Sequence, residues 1–101
     1  MCLPGTPCQN LTAAEAIAVA KKITANPRWR WHTPSFGVGT LHDDEHGRTL
    51  GRQVRFAPIV PACVVIHELA HVVAWPDTDH GVAWMRAVRQ VEALAPSRRL
   101  R

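Results

Sequence analysis

The sequence predicts one α+β domain spanning residues 1–101: an N-terminal helix, a small antiparallel sheet of two to three strands, a central helix and a C-terminal helix. Three observations carry that expectation. Helix signals with recognisable starts and stops fall in three separate segments. Between the first and the second the apolar period drops to two, the mark of strands. The length of 101 residues fills one domain of ordinary size and leaves no room for a second.

Residues 1–10 hold Pro4, Gly5 and Pro7 without periodicity and read as an irregular lead-in. Thr12 followed three residues later by Glu15 fits a capping box, in which hydroxyl and carboxylate satisfy the free amides of a helix's first turn. The Ala-, Ile- and Val-rich stretch 13–25 continues that helix until Asn26 and Pro27 end it. In 28–33 Trp29 and Trp31 alternate with Arg28, Arg30 and His32, which predicts a strand with an aromatic and a basic face. Residues 36–42 predict a second short strand, softened by Gly37 and Gly39, and 43–47 a turn. Residues 52–57 alternate again, Val54 and Phe56 to one face and Arg55 to the other. The second helix covers 61–75, with Pro61 in its first turn and Pro76 closing it. It is apolar all round except for His67, Glu68 and His71, and so must be the central buried helix. A polar loop through Asp77 and Asp79 leads to a third helix over 81–95, whose apolar stripe is Trp84, Val88, Val91 and Leu94 or Ala95. Residues 96–101 form a basic tail.

Composition excludes several classes. With 47% hydrophobic and 20% charged residues the chain is globular, not disordered. Cys2, Cys8 and Cys63 are too few, and odd in number, for a disulfide scaffold; Cys63 reads as a small buried hydrophobe, and Cys2 and Cys8 as free thiols in a frayed N-terminus. The N-terminus lacks the basic and apolar regions of a signal peptide. The longest weakly charged stretch, 56–76, carries Pro58, Pro61, His67, Glu68 and His71, which argues against a membrane span. A monomeric cytoplasmic protein of a reducing compartment is expected.

Six histidines are many for so short a chain. His67, Glu68 and His71 fall in the pattern H-E-x-x-H. Residues i and i+4 share a helix face about 5–6 Å apart, so two imidazoles can grip one metal ion. The residue after the first His sits about 100° around the helix, where a carboxylate reaches a water on the metal without ligating it. Glu68 is the only carboxylate between Glu45 and Asp77 and lies in the most apolar helix, where an isolated charge is costly. The plainer alternative has His67 and His71 bonded to loop carbonyls and Glu68 paired with an Arg such as Arg55. A catalytic zinc site takes three protein ligands. His80 is in reach through the short loop, with Asp77 and Asp79 as carboxylate rivals, whereas Glu92 lies about three turns into the third helix.

The run His67, Glu68, Leu69, Ala70, His71, followed by His80, Gly81, Val82, Ala83, Trp84, resembles the H-E-x-x-H … H-G-x-x-[FW] pattern of SprT-like zinc metallopeptidases and related minimal zincins. The resemblance covers 12–95 in layout and 67–84 in motif. It implies a minimal zincin-like fold, one Zn2+ ion held by His67, His71 and His80, Glu68 as general base, and a peptide or protein substrate. A Cys-rich zinc ribbon and an added DNA-binding domain are lacking, so a role on DNA–protein crosslinks does not carry over. The metzincin pattern fails as well, since Ala74 and Asp77 stand where it needs Gly and His.

Such a site hydrolyses peptide bonds, with Glu68 taking a proton from the attacking water and passing it to the leaving amine. A second electrophile is expected at the oxyanion. With no Tyr in the chain the candidates are His42, His46, Arg55 and His32. An extended substrate is expected to add beside a sheet edge near 36–42 or 52–57. Two other classes fit the sequence: a catalytically silent metal-bound domain, and a basic nucleic-acid-binding module. The second draws on the net charge of +4, the arginines of the tail, and Trp29 and Trp31 as a stacking platform. The plainer reading of those Trp residues is the core face of a strand.

Overall fold

Thr12 starts the first helix as its side chain dictates. Its hydroxyl accepts from Glu15 N at 3.1 Å, and the Glu15 carboxylate accepts from Thr12 N at 2.8 Å, closing the capping box. In the computed structural model, which describes residues 9–39, 42 and 45–95, helix α1 runs Ala13–Thr24. Ala16, Ala20 and Ile23 line its fully buried stripe. Asn10, the end of the stretch expected to be an irregular lead-in, joins Leu11 and Thr12 in strand β1. The expectations for Cys2, Cys8, Asp43, Asp44 and the tail at 96–101 lie outside the described residues.

The strand expected over 28–33 is absent. Asn26 makes an Asx-type turn, its Oδ1 accepting from Arg28 N at 2.9 Å and its carbonyl from Trp29 N at 2.8 Å. Trp29 Nε1 then donates to the His32 carbonyl at 3.3 Å, so the segment folds on itself and joins no ladder. The alternation of side chains survives without the strand: Trp29 is buried, Trp31 meets it edge-to-face at 5.1 Å, and Arg28 and Arg30 are exposed.

The second expected strand shortens to β2, Ser35–Val38, and 52–57 contracts to β4, Gln53–Phe56. Strand β3, Gly47–Leu50, takes up the last residue of the turn expected over 43–47 and the three residues after it. It pairs antiparallel with β4 through a hairpin at Gly51 and Arg52, where Gly51 takes the left-handed φ of 59°. β2 pairs parallel with β4, so the sheet has order β2-β4-β3 and is mixed, not antiparallel as expected. The reason is topological. β3 lies on the far side of β4 and reverses into it, which leaves β2 and β4 running the same way. Val54 and Phe56 face the core, fully buried, and Arg55 takes the opposite face.

A fifth strand, β5 (Ile59–Pro61), pairs antiparallel with β1, Leu11 opposite buried Val60. Ala13 N to Pro58 O at 3.1 Å and Ala62 N to Gln9 O at 2.7 Å continue the ladder into the first residues of both following helices. This clamp fixes the starts of α1 and α2 side by side.

Helix α2 spans Ala62–Ala74 and is central, as its composition requires: Val65, Leu69, Ala70 and Val72 are buried against α1, the sheet and α3. Cys63 is half-buried and free, on the flank of that helix and not in its core. Helix α3, Val82–Leu94, packs along α2 through Ala87, Val91 and Leu94. Among the described residues the architecture is α+β, with three helices beside two small sheets. Among the described residues no helix is long and apolar enough to cross a membrane.

Candidate metal centre

His67 and His71, one helical turn apart on α2, have ring centroids 5.0 Å apart. The loop after α2 turns back, Asp77 N donating to Ala74 O at 2.9 Å, and delivers His80 to the same face just before α3. His80 Nε2 lies 3.1 Å from His71 Nε2 and 3.2 Å from His67 Nε2. Nitrogens bound to one tetrahedral ion at about 2.0–2.1 Å stand about 3.3 Å apart, so both separations match edges of such a tetrahedron. The three ring nitrogens form the group of His, Cys, Asp and Glu atoms close enough to hold one ion, among the described residues.

Trp84, on the first turn of α3, backs the cluster. Its ring lies 5.0 Å from His67, 5.9 Å from His71 and 4.7 Å from His80, and its Nε1 donates to the His67 carbonyl at 3.4 Å. Burial pushes the His67 imidazole down to about 4, with His71 and His80 adding to the effect. Burial, then His80, lowers His71 as well. Both rings are therefore neutral at neutral pH, the state in which imidazole ligates a metal. Three imidazole nitrogens converging with an open side fit a zinc-type donor set.

Asp77 and Asp79 are held in their own loop. Asp77 Oδ1 accepts from Asp79 N at 3.4 Å, and Asp79 Oδ1 from Gly81 N at 3.2 Å. Gly81 serves that bond: a Cβ there would lie 3.1 Å from Asp79 Oδ1.

Glu68 is the only buried charged residue among those described. Thr49 Oγ1 lies 2.7 Å from its Oε1 and 3.0 Å from its backbone carbonyl. The other carboxylate oxygen, Oε2, lies 3.9 Å from His67 Nε2. Burial raises the carboxyl above its ordinary range; the Thr49 hydroxyl and Arg48 pull it down, and Glu45 pushes it up. Arg48 is itself gripped by Glu45 through Nε at 3.0 Å and through Nη2.

A cleft of about 600 Å3 opens over this group, walled by β3, the Gly51 turn, Trp75 and the 77–80 loop. His42, His46 and Arg55 are not among its lining residues. His42 and His46 are exposed on the link before β3, and Arg55 lies over Gly37 of β2 and over Gly39 just after it, on the face of β4 opposite Val54 and Phe56. The partner of Glu68 is thus Thr49, not Arg55. Gly47, Arg48 and Thr49 escaped the sequence reading because nothing in their spacing marks a site. The one available signal was the lone carboxylate in an apolar helix, which demands a hydrogen-bond partner without naming it. A second groove, between 27–31 and the end of α3, is bordered by Arg28, Arg30, Trp31 and Gln90. Trp29 is consumed by the core, and the Arg30 guanidinium lies 5.4 Å from the Trp31 ring centre, so the aromatic pair does not stand open as a platform.

Comparison with protein-family models, curated proteins and solved structures found no match for this chain.

Proposed function

We propose that this protein is a zinc-dependent metallopeptidase with a minimal zincin-like fold, acting on peptides or proteins. The observation that supports it most is the juxtaposition of three Nε2 atoms at 3.1 and 3.2 Å steps with a buried carboxylate oxygen 3.9 Å from one of them. His67, His71 and His80 are the ligands. Zinc bound there supplies Lewis acidity, polarising a carbonyl and making a water more acidic.

The remaining steps belong to side chains of this chain. Glu68 accepts the proton as a water O–H bond breaks and the water oxygen bonds the peptide carbonyl carbon. The same carboxyl gives that proton to the amide nitrogen as the C–N bond breaks, so the group ends as it began. Among the described residues Arg48 is the one guanidinium lining the cleft, and it takes the place of His42, His46 and Arg55 as candidate second electrophile. The sheet order makes β4 an interior strand, which removes 52–57 as a docking edge, and β2 lines no part of the cleft. β3 is the edge strand beside the histidines, and an extended substrate adding along it runs past them.

The test combines metal analysis with cleavage of a peptide library. One zinc per chain, cleavage by the wild type, and loss of cleavage with zinc retained in Glu68→Gln are expected. Zinc binding without cleavage of any peptide would instead make this a catalytically silent metal-bound domain.

A further inference from the structure

Gly47 and Thr49 stand two apart on β3 and therefore share a face of the strand. That face lies along the whole Glu68 side chain. At Gly47 a Cβ would approach Glu68 Cγ to 3.1 Å and Val64 Cγ1 to 3.0 Å, so the missing side chain is what lets the strand come this close to α2. At Thr49 the hydroxyl reaches the head of the same residue, 2.7 Å from Oε1. Opposite Thr49 in the ladder is fully buried Val54, which holds this part of the strand against the core.

We infer that Thr49 is a positioning residue that gives the two oxygens of Glu68 different jobs: Oε1 is the anchor and Oε2 is the oxygen that carries the proton. A threonine hydroxyl has one proton to donate. The shorter of its two contacts is to Oε1, and a bond to a carboxylate is the stronger one. Oε2 is left turned toward the histidines, 3.9 Å from His67 Nε2. A proton placed on Oε2 leaves the Thr49 bond to Oε1 intact. The carboxyl can then take and release a proton without rotating, because its orientation is set by β3 and not by the reacting groups. This inference rests on the peptidase reading for the proton's destination, but the anchoring itself does not.

Two measurements separate the parts. The first needs no turnover: a double-mutant cycle of Thr49→Val and Glu68→Met, read by urea unfolding of the metal-free protein at mildly alkaline pH. Anchoring predicts a coupling of about tenfold or more in the unfolding equilibrium constant. Additive effects would overturn it, whether or not the protein is a peptidase. The second uses the zinc-loaded protein. Thr49→Val is expected to lower kcat by about ten- to a hundredfold at unchanged KM and zinc content, with Thr49→Ser restoring most of it. Wild-type kcat in Thr49→Val, or a change confined to KM or to bound zinc, would overturn the positioning role. Thr49→Ala replaces Thr49→Val in both arms if the valine variant does not fold. Full cleavage by Glu68→Gln would sink the assignment of Glu68 as base and with it the role of Oε2, and no cleavage by the zinc-loaded wild type would sink the peptidase reading; in either case the unfolding cycle would still decide the anchor.

Discussion

Val65, Leu69 and Val72 on one face of α2 are shut away from solvent among apolar neighbours, while His67 and His71 on the other face, and buried Glu68 on the flank between the two, converge on a cleft. The first face repeats at i, i+4 and i+7 and holds the helix by burial that depends on no proton or ligand. The second face keeps two imidazoles neutral and one carboxyl above its ordinary range, at the expense of stability. One helix thus carries its own scaffold and its own load, and substitutions on the two faces should report in different currencies.

The largest separation is expected from Glu68→Gln, which should lower peptide turnover by about 10²–10⁴-fold while leaving the fold and bound zinc in place, as read by cleavage rate and metal content. Leu69→Ala should do the reverse. A loss of about 2–5 kcal/mol in urea unfolding is expected, equal with and without zinc. Zinc at about a hundred times its dissociation constant should add about 2.7 kcal/mol to the wild type, and chelation should remove it. His71→Ala should show no such gain, and a wild-type melting curve indifferent to zinc would erase the distinction between the faces.

Acidity gives a smaller and signed effect. The folded His67 imidazole sits at about 4 against an ordinary 6.5. Between those values the unfolded chain binds a proton that the folded one refuses, so metal-free stability should fall as pH drops through that window. Glu68 opposes it, since a raised carboxyl favours the fold at low pH and loses that advantage as pH rises. His67→Asn should therefore flatten the acid limb of stability against pH. The smallest effect belongs to a site remote from both faces: Thr12→Ala, which opens the capping box, should cost about 1 kcal/mol in thermal unfolding and leave zinc affinity unchanged.

Much of this layout is written in local chemistry. The Thr12 and Glu15 cap, the apolar run around Leu69 and the prolines flanking α2 place helices to within a residue or two, because each signal acts through its own backbone neighbours. The spacing of His67 and His71 is legible for the same reason, and His80 follows from a loop too short to wander. The sheet is less legible. Trp29 and Trp31 alternate as a strand would, yet the turn at Asn26 and the Trp29 bond to His32 take the segment out of any ladder. Arg48, Thr49 and Leu50 show no clear alternation of their own and become a strand because β4 offers them an edge. Thr49 finds Glu68 across 19 positions of sequence, a pairing that tertiary structure makes and that no spacing rule announces.

Trp84 touches all three imidazoles with one ring. Indole emission responds to the charge and polarisability of what lies against it. The chain therefore carries a built-in optical gauge at its histidine cluster, and filling or emptying the site should change the light this residue gives off. A Trp84→Phe variant, still holding Trp29, Trp31 and Trp75, subtracts the background and leaves the signal of that one contact.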